Sequence, residues 1–450
     1  MKPASPIRYG RLAAALLFAG ISTAALAQPN GAAELAAAIR VSDYDSVTEL
    51  LRVRVINPNS LMPDGSTPLS WAVESQDPQM VQLLLRAEAS PDAAANPAVA
   101  PLMLACEHGN SQIVNLLLDA GAKATIMRDD GITPLTTCAG TVPAADVARL
   151  IELGAVVDAA ETSGQTPLMW AAAKGRIDNA KLLLAKGANV NSETKDGFTP
   201  LFFALKSGNP ELPQLILDAG GNPDHVGPQG TTVTQIAIFQ GDYAFAMKMI
   251  ERGVDLTAED VNGNTLLLAA LSVNQPELVQ LLLEKGSDPN RWSGTGKIKW
   301  GYEPNFKNTA YDKPTKPPLI VAAEKGAADV IELLVAAGAD PKVEMPDGTT
   351  IIHAAIASDR LNAVAAALRA LPDVNVQDKN GNTPLHAIIA LRRYPGSESE
   401  QILKLLAAQG ARIDIKNKDG KVAADMAELG RGPDVKAAFL AAFGQQMTAR

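Results

Sequence analysis

Apolar positions along this chain arrive in paired bursts. A Pro-Leu burst running into small residues, as in Pro68-Leu69 or Pro167-Leu168, is followed by a leucine triplet such as Leu83-Leu84-Leu85 or Leu182-Leu183-Leu184. Between one pair and the next lie polar residues and glycine. The bursts predict two short helices per unit, and the D-G and N-G steps between units (Asp64-Gly65, Asp130-Gly131, Asp196-Gly197, Asn262-Gly263) predict tight turns that need positive φ. The unit recurs in a strict register. Thr67, Ala100, Thr133, Thr166, Thr199, Thr232 and Thr265 are each 33 residues apart. A second marker keeps the same step: Gly121, Gly154, Gly187, Gly220, Gly253 and Gly286, each expected to stop the second helix in the left-handed conformation.

The local chemistry of the marker explains its order. A threonine hydroxyl caps a helix N-terminus, and proline fits the first helical position because its missing N–H has no partner there. A fixed period of this size means that one supersecondary unit is stacked on copies of itself. One unit alone cannot bury its apolar face, so stability comes from neighbours.

Period 33 with T-P-L-H-x-A resembles the ankyrin repeat family. Asn382-Thr383-Pro384-Leu385-His386-Ala387 and Thr350-Ile351-Ile352-His353-Ala354 carry the histidine, and Thr166-Pro167-Leu168-Met169-Trp170-Ala171-Ala172 a variant of it. The resemblance implies an all-α ankyrin-repeat solenoid: helix-turn-helix units with short β-hairpin fingers, capped at both ends. It implies that His353 and His386 hydrogen-bond neighbouring backbone. It places partners along the hairpin tips and the exposed end of the first helix. The expected organisation is a signal peptide (1–27), an N-terminal capping unit (28–62), repeats (63–293), an insertion (294–316), repeats (317–417) and a C-terminal capping unit (418–450). Thr232-Val233-Thr234-Gln235 lacks the Pro and Leu, which makes 229–260 the weakest unit and an expected soft point.

Residues 1–27 read as a cleavable secretory signal: basic Lys2, Arg8 and Arg11, an apolar stretch from Leu12 to Ile21, and Ala25-Leu26-Ala27 at the cleavage point. The expected location is the periplasm of a bacterium, or the exterior if secretion continues. No later apolar run is long enough for a spanning helix. Net charge is −9, and −12 once the three basic residues of 1–27 are removed. Such a chain binds nucleic acid poorly. Its acidic repeats suit a partner with a basic or mixed face, and a monomer is expected.

Cys106 and Cys138 fall at alanine-type sites in the first helices of consecutive units. Small buried packing residues are the expectation there. An exported chain permits a disulfide, but a bridge needs Cα atoms within about 7 Å, which neighbouring layers meet only marginally.

The register fails once by a large margin. From Thr265 the next match is Pro317, a step of 52 residues. The surplus, about 292–316, is foreign in composition. Trp292, Trp300, Tyr302, Phe306 and Tyr311 stand with Arg291, Lys297, Lys299, Lys307, Lys313 and Lys316 against only Glu303 and Asp312. Aromatic and cationic residues are enriched at interface anchors, and insertions in repeat arrays often lie on the binding face. One reading is a recognition loop suited to an acidic patch; the other is a cover whose lysines pair with acidic repeats. A smaller surplus at 391–400 is assigned no function.

Candidate partner-binding residues are therefore Trp300, Tyr302, Phe306, Tyr311, Lys297 and Lys299 in the insertion, with Phe198 at a hairpin tip and Trp170 on a first helix. Trp71, Phe202 and Phe203 belong to the same aromatic set, with inter-repeat packing as the competing role. No catalytic constellation, metal-ligand spacing or cofactor motif is present in the sequence. The expected function is a non-catalytic protein-binding scaffold. Alternative settings are an accessory or maturation factor for an exported redox enzyme, and a secreted effector binding a host protein.

Overall fold

The computed structural model of the chain describes residues 31–52, 56–62, 64–293, 315–391, 398–429 and 433–448. Among them are 24 α-helices, which is two for each of twelve successive units. The fold is all-α, as the register predicts. The fingers between units are turns closed by backbone hydrogen bonds, and isolated β-bridges join Val226 to Thr232 and Lys416 to Val422. By its contacts the chain forms two compact units, one ending at Pro101 and the other beginning at Leu102.

In the first unit, helices Gly31–Arg40, Tyr44–Arg52, Pro68–Glu74 and Pro78–Arg86 bury Leu35, Ile39, Val47, Leu69, Val73, Met80 and Leu84. Thr67 caps its helix by accepting from the Ser70 N–H, and Ser70 Oγ in turn donates to the Val99 carbonyl at 2.7 Å.

The second unit takes in helix Pro101–His108 from Leu102 onward and runs through the paired helices to Pro433–Thr448. Each leucine triplet buries its middle residue: Leu117, Leu183 and Leu282 are fully enclosed. Thr133, Thr166, Thr232 and Thr265 accept a backbone N–H three residues on. Thr199 is the exception: its buried hydroxyl has no partner.

The histidines do what the resemblance implies. His386 Nδ1 meets the Thr383 N–H (3.1 Å) and hydroxyl (2.8 Å), while Nε2 meets the Lys421 carbonyl of the next unit at 3.2 Å. His353 repeats this with Thr350 and with the Asn382 carbonyl at 3.0 Å. The unit lacking Pro and Leu has a substitute. Gln235 Oε1 accepts from the Thr232 N–H (2.9 Å) and Gln235 Nε2 donates to the Asn264 carbonyl (2.7 Å), so glutamine spans the layers as histidine does elsewhere.

Burial lowers the pKa of both imidazoles below the ordinary 6.5. Each is therefore neutral in the fold, and the unfolded chain takes up the proton first. The stability these residues hold is complete above pH 6.5 and declines as pH falls through that value. His353→Gln with His386→Gln is expected to flatten this acid limb while keeping both bonds, whereas His386→Ala costs about 1–3 kcal/mol at neutral pH by stranding buried partners. Thermal unfolding from pH 7.5 down to 5 distinguishes the two, and an equally steep acid limb in the Gln pair would refute the assignment.

Asparagines supply a tie that the sequence did not announce. Asn191 Nδ2 donates to the Gly220 carbonyl (3.0 Å) and Asn191 Oδ1 accepts from the Asn222 N–H (2.8 Å). Asn375 does the same with Gly410 and Arg412. Asn290 does so with Gly338 (2.9 Å) and Asp340 (2.8 Å) across the insertion. The stack thus reads through the 52-residue step. At the insertion's base, Ser293 N–H donates to the Lys316 carbonyl and Lys316 N–H to Ser293 Oγ, both at 3.0 Å.

Cys106 and Cys138 are bonded, with Cα atoms 4.6 Å apart. This corrects the expectation of unlinked packing residues. Layer spacings of 8–10 Å are measured between helix axes, and backbone on the facing sides of two small-residue helices approaches much more closely.

Candidate functional site: an apolar stripe on the first helices

Four residues after each marker threonine, one side chain faces away from the second helix. In the second compact unit this register reads Leu104, Thr137, Trp170, Phe203, Ile236, Ala269, Val321, Ala354 and Ala387, Leu104 being buried. Trp170, Phe203 and Ile236 sit on three consecutive first helices, Pro167–Ala173, Pro200–Lys206 and Val233–Gln240, and all three are half-buried. Thr137 and Ala269, which flank them, are buried. Phe239 extends the stripe with 43% of its surface exposed. The stripe is therefore bounded, large in the middle and small on either side.

Phe198 joins it from a finger. Its ring centroid lies 5.8 Å from Phe202, edge to face, and 6.1 Å from Phe203. The fingertip aromatic is thus partly packed and half-buried, and not the free-standing residue its position implied. Phe202 is buried at 4% exposure beneath it. The next finger shapes itself around that ring: a Cβ on Gly227 would stand 2.6 Å from Phe202 Cζ, so only glycine fits.

His225 looked isolated in sequence, but its Nε2 donates to the Gly197 carbonyl at 2.8 Å. Its ring stands edge-on to Phe202 at 5.9 Å, and Nδ1 is 3.8 Å from Glu193. It pins the Phe198 finger to the following unit. Spatial neighbours 28 residues apart leave no mark in a single sequence beyond the repeat itself.

The fingers are also linked to one another. Thr162 N–H donates to the Asp130 carbonyl and Lys195 N–H to Ser163, and after the stripe Val261 N–H donates to Gln229. The equivalent donor between the last two is residue 228, a proline, which has no N–H to give. The ladder breaks there, and among the described residues nothing donates to the Asp196 carbonyl.

Trp170 and Trp71 share a register but not a role. Trp71 Nε1 donates to Ser66 Oγ at 2.8 Å, and the Arg40 guanidinium lies 3.6 Å above its ring, covering one face. Trp170 Nε1 is buried without an acceptor. Its indole therefore serves packing at one edge and the open stripe at the other. The remaining predicted residues, Lys297, Lys299, Trp300, Tyr302, Phe306 and Tyr311, lie outside the described residues. At the insertion's base, Arg291 pairs with Glu259 (2.7 Å) and Lys316 with Glu324 (2.6 Å), the kind of pairing that the cover reading anticipates.

Among the described residues no cluster of His, Cys, Asp and Glu is placed to hold a metal ion, and no helix is long and apolar enough to cross a membrane.

Comparison with known proteins agrees with the geometry. The family profile described as ankyrin repeats (3 copies) matches residues 35–128, 102–194, 147–226, 201–292 and 304–427. A putative ankyrin repeat protein of fowlpox virus is 30% identical over 135 residues, covering 30% of this chain and 17% of that protein. The human transient receptor potential cation channel subfamily A member 1 is 24% identical over 38% of this chain and 20% of its own length. An ankyrin repeat-containing protein of Schizosaccharomyces pombe is 29% identical over 25% of this chain and 51% of its own. The chain thus spans from about a sixth to about half of these relatives, which share the repeat and not a whole-protein architecture. With its 33-residue register, its capped helix pairs and a profile match over most of its length, this chain belongs to the ankyrin repeat family, whose stacked units make protein–protein interaction scaffolds.

Proposed function

We propose that this protein is a non-catalytic binding scaffold of the periplasm. It holds a protein partner in the groove between fingers and first helices, with the 292–316 insertion as a second contact. The observation that carries the reading is the stripe of Trp170, Phe203, Ile236 and Phe239 with Phe198. These are large apolar side chains left half-exposed on three successive layers, where neighbouring units of the same register bury theirs or carry small ones. Apolar surface kept in contact with water on a rigid frame marks an interaction site. Because layers hold the groove in shape, little ordering entropy is lost on binding. The location rests on the signal-like pattern of 1–27 and on the Cys106–Cys138 bond, since such bonds persist in oxidising compartments.

Phe203→Ala with Phe198→Ala is expected to lower partner capture at least tenfold, about 1.4 kcal/mol or more, while changing the melting temperature little because both rings are half-open. Capture from periplasmic extract, followed by quantitative mass spectrometry, measures this, with a chain lacking 295–313 run alongside. Equal recovery with all three proteins would remove both the stripe and the insertion from consideration.

A further inference from the structure

The stripe runs between two rims of different charge. At the far end of its helices stand Lys174 and Lys206, on consecutive units, both exposed and without an ion pair among the described residues. Elsewhere on this rim of the second unit Glu107 pairs with Arg128 and Glu324 with Lys316, and a single lysine, Lys325, stands exposed beside that second pair. The Lys174 stem lies against Gly140, where a Cβ would come 3.0 Å from its Cγ, so the chain is supported while its ammonium stays in water. On the finger rim, Lys195 adjoins Asp196, and Glu161 is occupied by Ser163 and by the Gln165 N–H. Among the described residues of this acidic protein, the stretch of groove with a large apolar floor is also the one with two consecutive uncompensated lysines.

Resting on the binding reading above, we infer that this stripe takes an acidic segment of its partner: an extended polypeptide whose apolar side chains sit on Trp170, Phe203 and Ile236 and whose carboxylates face Lys174 and Lys206. Two observations support this occupant beyond the lysines. Layers about 10 Å apart match every third residue of an extended polyproline-II segment, whose three-residue turn rises about 9 Å and sets those residues on one face. The break at Pro228 leaves the Asp196 carbonyl without a donor beside Phe198, and an extended segment carries backbone N–H groups to supply one. The partner's charge is thus opposite to the one that the net charge of the whole chain suggests, because two ammonium groups at the ends of the stripe's own helices outweigh carboxylates on remote units, screened beyond about 8–10 Å of salt water.

The test uses the full mature chain and two fluorescein-labelled synthetic peptides. Both carry leucine at every third position, with glutamate and serine between in one and lysine and serine between in the other. Fluorescence anisotropy at physiological salt is expected to show the glutamate peptide binding about tenfold tighter, the scale of two partly exposed charge contacts. Lys174→Glu with Lys206→Glu abolishes that preference. Lys181→Glu with Lys186→Glu, exposed on and just after helix Ile177–Ala185, leaves it intact. Phe203→Ala weakens both peptides alike. Equal affinity for the two peptides with the Phe203 effect intact would overturn the acidic partner and keep the stripe. An identical loss from the Lys181/Lys186 pair would reduce the preference to overall charge and overturn it too. Failure of both peptides to bind, or binding of both that Phe203→Ala leaves unchanged, would overturn both readings together.

Discussion

Replacing Cys106 and Cys138 by alanine is expected to remove roughly 3–4 kcal/mol of stability, the loop-closure value for two residues 32 apart in sequence. The bond joins the first helices of neighbouring units, so the loss falls on the stacking of those two layers. In a stacked array that interface term adds to the intrinsic stability of each unit, and weakening it lets the units on its N-terminal side open separately from the rest. Urea unfolding of the oxidised, reduced and Ala/Ala proteins measures it. The Ala/Ala protein should show a lower first transition, with the later one little changed. Both sulfurs are fully buried, so reductant should act slowly on the native chain and quickly once urea opens these layers. A shared midpoint for all three proteins would show that the bond contributes nothing to the stack.

This bond also marks where a period stops being a structure. The register located Thr67 to Thr265, the helix-stopping glycines and the histidine bridges, because each is demanded by local backbone geometry that one sequence displays. It located Cys106 and Cys138 in adjacent layers as well. It did not give their separation, which depends on how closely two small-residue helices settle together. Gln235 shows the same limit from the other side. Loss of Pro and Leu marks its unit as deviant, yet the bridging function survives in a residue of different chemistry with the same reach. The asparagine ties at Asn191, Asn290 and Asn375 were hidden for a further reason: asparagine before a turn is explained equally well by the turn. For the site, Phe198 and Trp170 were legible as large residues at positions facing the groove. Ile236 was not, since it lies in the unit whose marker had decayed. The polarity between Lys174 and Lys206 and the finger rim needed the structure, because a sequence does not show which exposed lysines stand without an ion pair.

Gly348→Ala is expected to cost about 3 kcal/mol or more, against about 1 kcal/mol for Gly187→Ala. Both glycines hold positive φ, +80° and +88°, so each alanine meets the same left-handed penalty of about 1–2 kcal/mol at most. Their surroundings differ. Gly187 ends a second helix, and nothing lies within 4 Å of where its Cβ would go. Gly348 lies at a fingertip pressed on the next finger, and its Cβ would stand 2.5 Å from the Lys379 backbone nitrogen and 3.0 Å from the Asp378 carbonyl carbon. Backbone cannot rotate aside as a flexible side chain does, so the two fingers must part. Parting them breaks the bond from Lys379 N–H to the Asp347 carbonyl, now 3.0 Å, and strains the turn in which Asp347 Oδ1 accepts from the Thr349 N–H at 2.9 Å. Chemical denaturation gives the cost of each variant. Hydrogen exchange at Lys379 adds a local reading: that amide should exchange faster in Gly348→Ala and be unchanged in Gly187→Ala. Equal costs for the two would mean that the fingers yield freely. In that case the groove they border would be shaped by its partner rather than presented to it.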